Sequence, residues 1–387
     1  MNRFKREFIN IFLVFVWDTP TRRRLRQKFM DFHLSVYLAY IWYCIRPMRH
    51  NSVLLIEFND CHGEVMGGII PYFQKLGYNI DILINTKTYS EHPFCRQNMR
   101  GVRVLRTWTS WGPAQFIHAR RTAQYKHVVM MTSACYWLQN SSGGYVSGLG
   151  VFDGTDLKPF IIEHDLNDVT EFGEEKYLQS NHLITLGKFD RGIFLNPHKF
   201  GHTKINPKNK KTTFITVGNI ESKRKNHKML IDAIENLAKR NADFRVIVIG
   251  NGNIDNLPAH IRPYIEFTGR LNFPKMFNKL ESADFFLPLL DAETDAHNRY
   301  ITTGVTGSAQ LIYGFAKIPV IHKKFANFYR FDDTNAIVYE NDFANAMMRA
   351  IQMTPDEYAT CCNNLQMVAS EIADESYNNL KRILNDE

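Results

Sequence analysis

The sequence has little that would mark a secreted or membrane-spanning protein. Its six cysteines (Cys44, Cys61, Cys95, Cys135, Cys361 and Cys362) form no CxxC pair. No secretory signal with a small-residue cleavage site is evident, so free thiols in a reducing cytoplasm are expected. The two apolar runs near the start, Ile9 to Trp17 and Phe32 to Ile45, are shorter than the ~20 residues a spanning helix needs. There is no cysteine cluster and no DxD at a strand end. Asp332 and Asp333 are adjacent, so in a strand they would face opposite sides, and no essential metal or other cofactor is expected. Gly250-Asn251-Gly252 begins a GxGxxG pattern, but Asp255 replaces its third glycine. A dinucleotide oxidoreductase is therefore a weak reading. No nucleic-acid reading motif accompanies the basic residues.

What is present is a chain of 387 residues, 44% hydrophobic and 22% charged, which is a globular composition. A single core rarely grows past ~250–300 residues, so two domains are expected. The charge is uneven. Residues 1–50 hold ten Lys/Arg and three acids, or +7 of the formal +8. The other residues are close to neutral together, which excludes a basic body and leaves a basic arm to explain. Cations beside amphipathic, aromatic-rich stretches suit a helix lying in the interface of an anionic membrane. The plainer reading is a helix packed on the first domain with its arginines solvated.

After the arm, strands and helices alternate. Ser52–Phe58 (SVLLIEF) suits a buried parallel strand. A polar, glycine-containing loop follows, then helical periodicity from Val65 to Leu76, then a strand at Asn79–Ile84. Further strands are expected at Val102–Arg106, His127–Thr132, Pro159–Glu163, Asn181–Leu186 and Phe194–Lys199, with a loop at Asn140–Gly154. Pro197 to Lys211 reads as an interdomain linker. The alternation then restarts at Thr213–Val217 and runs to Ile318–Ile321, with a helical tail from Pro355. This pattern implies two doubly wound parallel sheets. The expected units are a basic amphipathic arm at 1–50, a first Rossmann-like domain at 51–205, a second at 206–365, and a helix at 366–387 able to pack back on the first domain.

The run Phe214–Leu237 (FITVGNIESKRKNHKMLIDAIENL) resembles the opening of the donor domain in GT-B glycosyltransferases, especially the family-4-type group. The resemblance continues through Arg245–Gly252, Ile265–Arg270 and Ala283–Leu289, over about 110 residues. The first half is similar more loosely, through His62–Ile84, Phe160–Leu166 and Asn181–Leu186. The resemblance implies a GT-B fold, α/β with two Rossmann-like domains facing a cleft. It implies sugar transfer from a UDP-, GDP- or ADP-sugar to a glycan or lipid-linked acceptor. With the basic arm, that places the chain on the cytoplasmic, inner face of an anionic membrane, in bacterial surface polysaccharide synthesis, with no nucleic-acid partner. A non-catalytic glycan- or nucleotide-binding relative is the alternative.

Such a transfer must neutralise the leaving diphosphate, align donor and acceptor, and manage the acceptor proton. In the family an Arg stands where this chain has Asn219, after Gly218, and a Lys stands at Lys225; both grip phosphate. Arg224 and Lys223 are neighbours able to compensate for the missing Arg. Gly250 closes the next strand. Thr306, Gly307 and Ser308 precede a helix, where free N–H groups and the helix dipole attract anions; an ordinary helix cap is the alternative. Arg299 is a third phosphate candidate, or a partner in a surface ion pair. His164, at a strand end before Asp165, contacts the donor sugar in the family. His62 and Glu64 lie in the first polar loop, where an acceptor-side base is useful. The family's two glutamates, eight positions apart, fall on Gly304 and Ile312 here. Glu293, in the acidic segment Asp291–Asp295, is the candidate replacement. Retention and inversion both stay open.

Overall fold

The computed structural model describes residues 34–385, apart from 58, 60–61, 108–113, 140–144, 172–174, 179, 220–224 and 252–256. Most of the basic arm (1–33) therefore lies outside the described residues, as do Lys223 and Arg224. The end of the arm is a helix, Leu34–Ile45 (α1). Among the described residues, no helix is long and apolar enough to cross a membrane.

The first sheet is built from Ser52–Ile56 (β1), Asn79–Asn85 (β2), Val102–Thr107 (β3), His127–Met130 (β4), Phe160–Glu163 (β5), Leu183–Thr185 (β6) and Ile193–Phe194 (β7). Their order is β3-β2-β1-β4-β5-β6-β7, and every pair is parallel. All five residues of β1 are buried, as a strand covered on both faces requires. The second sheet comprises Thr212–Val217 (β8), Phe244–Ile249 (β9), Ile265–Gly269 (β10), Phe285–Phe286 (β11), Ile318–His322 (β12) and Ile337–Tyr339 (β13), in the order β10-β9-β8-β11-β12-β13. Both sheets thus share one winding, and the strand order reverses between β1 and β4 and between β8 and β11. Crevices for ligands open at the carboxyl ends of strands at such reversals.

Helices cover the sheets. Gly63–Lys75 (α2) follows β1, and His227–Lys239 (α3) follows β8. Asn226 caps α3 by accepting from the Met229 N–H, and Leu230, Ala233, Ile234 and Leu237 form its buried stripe. Phe273–Ser282 (α4) and Gly307–Phe315 (α5) follow in the second domain.

Several elements differ from the sequence expectation. The strand expected at Phe194–Lys199 pairs only at Ile193–Phe194. Beyond it the chain crosses between the domains as buried extended backbone, with Leu195 and Phe200 in the core. Its polar groups find partners off the sheet. Tyr72 donates to the Asn196 carbonyl (2.9 Å), and the Asn196 N–H donates to Ser376 Oγ (3.0 Å). Gly68 on α2 lets this crossing approach, since a Cβ there would stand 1.8 Å from the Pro197 carbonyl oxygen. The loop expected at Asn140–Gly154 holds a strand, Tyr145–Ser147, paired antiparallel with Ala134–Gln139. Strand β13 and the helix Phe343–Gln352 (α6), capped by Asp342, were not foreseen. The tail is one helix, Pro355–Asn385 (α7). Its Leu365, Ala369 and Ile372 join the core of the second domain, and its Ala373, Leu380, Ile383 and Leu384 join that of the first. Each buried aliphatic side chain contributes roughly 1.5–3 kcal/mol, so α7 ties the two domains together.

Candidate functional site

In the second domain, three glycines stack along the sheet edge. Gly218 ends β8 at φ 146°, Gly250 ends β9 at φ 155°, and Gly269 ends β10 at φ 67°. The Gly218 N–H donates to the Ile249 carbonyl, and the Gly250 N–H to the Gly269 carbonyl. A Cβ on Gly250 would stand 1.9 Å from the Gly218 oxygen, and one on Gly218 would stand 2.7 Å from Lys225 Cε. Only glycine permits this layering. Asn219 is exposed beside it.

Lys225 threads beneath Gly218. Its Nζ donates to the Pro288 carbonyl (2.9 Å) and to Ser308 Oγ (3.1 Å). Burial pulls its ammonium down to about 7. Ser308 lies in the first turn of α5. Thr306 is the N-cap, accepting from the Ser308 N–H (3.3 Å). The Thr306 N–H is itself held by Tyr329 Oη (3.2 Å), whose hydroxyl donates to the Tyr300 carbonyl (2.7 Å). Beside Gly307 the space is open, since an added Cβ would meet nothing within 4 Å. A lysine amine, a buried hydroxyl and a helix N-terminus that is open at Gly307 thus lie side by side, an arrangement that suits a phosphate.

In the first domain, His62 precedes α2 in the left-handed conformation (φ 56°). Its ring lies 4.0 Å, centre to centre, from that of His164, just past the end of β5. His62 Nδ1 is 3.9 Å from a carboxylate oxygen of Glu64. Burial, then the charge of His62, drives the His164 pKa well below the ordinary histidine value. His164 hydrogen-bonds the Met131 backbone, while its Nε2 is buried without a partner. It is therefore a neutral imidazole with one free lone pair in the site. Burial also raises the carboxyl of Glu64.

Two carboxyls that sequence reasoning passed over stand behind these histidines. Glu57 follows β1 and Glu163 ends β5, both fully buried, and burial pushes each up to about 8. Glu57 accepts from the Asn59 N–H (2.7 Å) and Thr132 Oγ1 (3.2 Å). Glu163 accepts from the Ser133 N–H (3.0 Å), while its Oε2 and Ser133 Oγ have no partner. Their only sequence signal is an acid at the end of an apolar strand.

The domains join at this point. The Val305 N–H donates to the His164 carbonyl (3.1 Å), and the Leu166 N–H to the Thr303 carbonyl (2.7 Å). Arg299 pairs with the buried Asp165 (2.5 Å). Gly304 packs on Asp165 and Ile312 is buried in the core, so the two positions expected to carry glutamates hold backbone and core contacts instead. A continuous path results: His62, His164, Val305, Thr306, Ser308 and Lys225. Glu293 is exposed instead, on the wall of a cavity of about 480 Å³ with Asn226, Asp291, Tyr339 and Glu340. Its N–H donates to Asp291, whose carboxyl is disfavoured by burial but held below its usual range by bonds from Glu293, Thr294 and Asn226.

Residues 211–353 match the family model described as "Glycosyl transferases group 1". No curated protein sequence matches the chain. Among solved structures, a glycosyltransferase from Rickettsia africae ESF-5 superposes with a TM-score of 0.52 at 12% identity, covering 88% of this chain and 99% of that one. AviGT4, a glycosyltransferase involved in avilamycin A biosynthesis, reaches 0.48 at 16% identity, covering 85% and 97%. HepE of Anabaena, in complex with UDP and glucose, reaches 0.46 at 11% identity, covering 86% and 99%. The fold, GT-B, rests on the first of these. The family match and the fold together support a role in glycosyl transfer.

Proposed function

Taking a GT-B fold and a second domain that matches the group 1 glycosyl transferases as the premise, we propose that this chain moves a sugar from a nucleoside diphosphate sugar to a glycan or lipid-linked acceptor. The observation that carries the proposal is the bond from Lys225 to Ser308 at the open N-terminus of α5. A diphosphate bound there meets an ammonium, a hydroxyl and the Gly307 edge of the helix. These groups neutralise the charge that develops on the leaving group, and no metal or other cofactor is required. Gly218, Asn219 and Gly250 shape the turn that lets the nucleotide approach. Arg224 is the further cation for the phosphates.

On the acceptor side, His164 offers its free Nε2 to the reacting sugar. His62 serves as the base for the acceptor hydroxyl, with Glu64 beside it. Arg299 acts through Asp165, fixing the strand end that carries His164. The basic arm, residues 1–50, holds the protein on the anionic inner face of a membrane, where a lipid-linked acceptor for capsule, O-antigen or other lipopolysaccharide would lie. Cytoplasmic nucleotide sugars reach it there.

The test is binding and transfer with a panel of UDP-, GDP- and ADP-sugars. If none binds at millimolar concentration, the proposal fails. A second reading, a non-catalytic binding relative, is favoured by the absence of acids at Gly304 and Ile312. It requires nucleotide binding with no donor hydrolysis or transfer, and with His164→Ala leaving the cellular glycan unchanged.

A further inference from the structure

The near-neutral charge outside the arm hides a segregation inside the first domain. From His92 to Phe152 there are seven Lys/Arg and not one Asp or Glu. The fold gathers part of this charge around the end of α1. Arg46, Arg49 and Arg103 all bond to one buried acid, Asp81. Arg121 donates to the carbonyls of Arg46 and Pro47 and lies over the Tyr43 ring. Arg49 also donates to the Gly101 carbonyl, which brings exposed Arg100 to the same rim. The Lys126 N–H donates to Ser52, and Lys126 itself is exposed; so is Arg120, next to Arg121. One buried carboxylate cannot balance these cations, so the rim carries a net positive charge.

The helix beside the rim is built the wrong way round for a solvated surface. Tyr43 is fully buried against Phe116 and Tyr125, which seats α1 on the domain. Its outer face then presents Ile41, Trp42 and Ile45, which are 54%, 58% and 69% exposed. Residues spaced i, i+1 and i+4 lie within one third of the helix circumference. An apolar strip flanked by unbalanced cations, with tryptophan among its members, matches the headgroup boundary of an anionic bilayer.

We propose that the outer face of α1 and the cationic rim at its end form a docking surface for an anionic lipid bilayer, built into the folded first domain and distinct from the sequence before residue 34. This rests on the membrane reading of the proposed function and assigns it a surface. Ile41, Trp42 and Ile45 enter the acyl boundary. Arg49, Arg100, Arg103, Arg120 and Lys126 face the headgroups.

The test is partitioning of the full chain onto vesicles of phosphatidylcholine alone and of phosphatidylcholine with phosphatidylglycerol. Native protein should prefer the anionic vesicles, with its tryptophan emission quenched by brominated acyl chains. The triple variant Ile41→Ser, Trp42→Ser, Ile45→Ser should partition about tenfold more weakly or worse. The pair Arg100→Glu, Arg120→Glu should lose about fivefold or more per site and show a flatter salt dependence. Both should keep the native melting temperature. If both variants bind like the native protein, residues 1–33 alone hold the membrane; the surface is rejected and the membrane reading survives. If the native protein ignores anionic vesicles, both fall. If it is a dimer that the triple variant splits without loss of vesicle binding, a second copy covers the face and the proposal is overturned.

Discussion

Lys225 and Ser308, 83 residues apart, are joined by a bond of 3.1 Å from Nζ to Oγ. The two halves of the proposed phosphate site therefore assemble only when α5 docks beside the loop before α3. A hydrogen bond to a charged group contributes about 1.5–3 kcal/mol. Lys225→Met should weaken UDP or GDP binding by roughly tenfold or more. It should not lower the melting temperature near neutral pH, because it removes a cation that burial disfavours. Isothermal titration and thermal unfolding of the same variant separate the two effects.

The same lysine should make nucleotide binding take up a proton. In the empty site its ammonium is held down to about 7, yet a diphosphate needs it charged. At about pH 8 uptake should approach one proton per site, and it should vanish well below 7. Calorimetry in buffers of different ionisation enthalpy reads this directly. The linkage to folding has the opposite sense. The unfolded chain keeps this proton up to its ordinary lysine value, so Lys225 adds stability as pH rises above 7. Absence of proton uptake would place Lys225 away from the phosphates.

How far the sequence could show this is visible in particular residues. Lys225 and Thr306–Ser308 were legible singly, because a cation before a helix and a Gly/Ser cap are local signals. Their meeting was not, since chain separation carries no distance. Arg299 read as a phosphate group from its polar run; its partner Asp165 is remote in sequence. The succession of strands was legible through continuous apolar runs such as β1, buried at all five positions. Strand β13 has three residues, too few to stand out as such a run. Phe194–Lys199 read as strand, but it pairs only at Phe194, and beyond it the hydrogen bonds of Asn196 run to Tyr72 and Ser376 rather than to a neighbouring strand.

The histidine pair should separate rate from binding. His164→Ala removes the free Nε2, and turnover should fall by about 10²–10⁴ while UDP affinity holds. His62→Asn should lose rate by a similar factor with the fold kept, because asparagine tolerates the left-handed backbone at this position (φ 56°). Burial and its neighbour keep His164 neutral, so an acid limb in the pH–rate profile should vanish in His62→Asn and persist in His164→Ala. Equal loss of nucleotide binding in both variants would mean that the pair is structural.

Gly250→Ala tests the glycine stack. The new Cβ would sit 1.9 Å from the Gly218 oxygen, on a backbone at φ 155°. The loop must move, at a cost of about 2–4 kcal/mol. Both the melting temperature and nucleotide affinity should drop. Gly307→Ala, with nothing within 4 Å of its Cβ, should keep its melting temperature, so any loss of nucleotide affinity there reports contact with the ligand alone.

Glu163 offers the cleanest test of a buried acid. Its carboxyl is raised by burial to about 8, so the folded chain holds a proton that the unfolded chain releases from about pH 4.5 upward. Its stabilising share is complete below that value and is lost as pH rises through 8. Glu163→Gln keeps an oxygen for the Ser133 N–H and has no charge to bury. Native and variant should therefore melt together at about pH 5, and the variant should be the more stable above pH 8, by a few kcal/mol at most. Glu57→Gln should gain less, because its two oxygens accept from two donors, Asn59 and Thr132, and an amide has one oxygen to offer. If the Glu163→Gln advantage does not grow with pH, the native carboxylate is ionised in the fold, and a cation or solvent must reach its unpartnered Oε2.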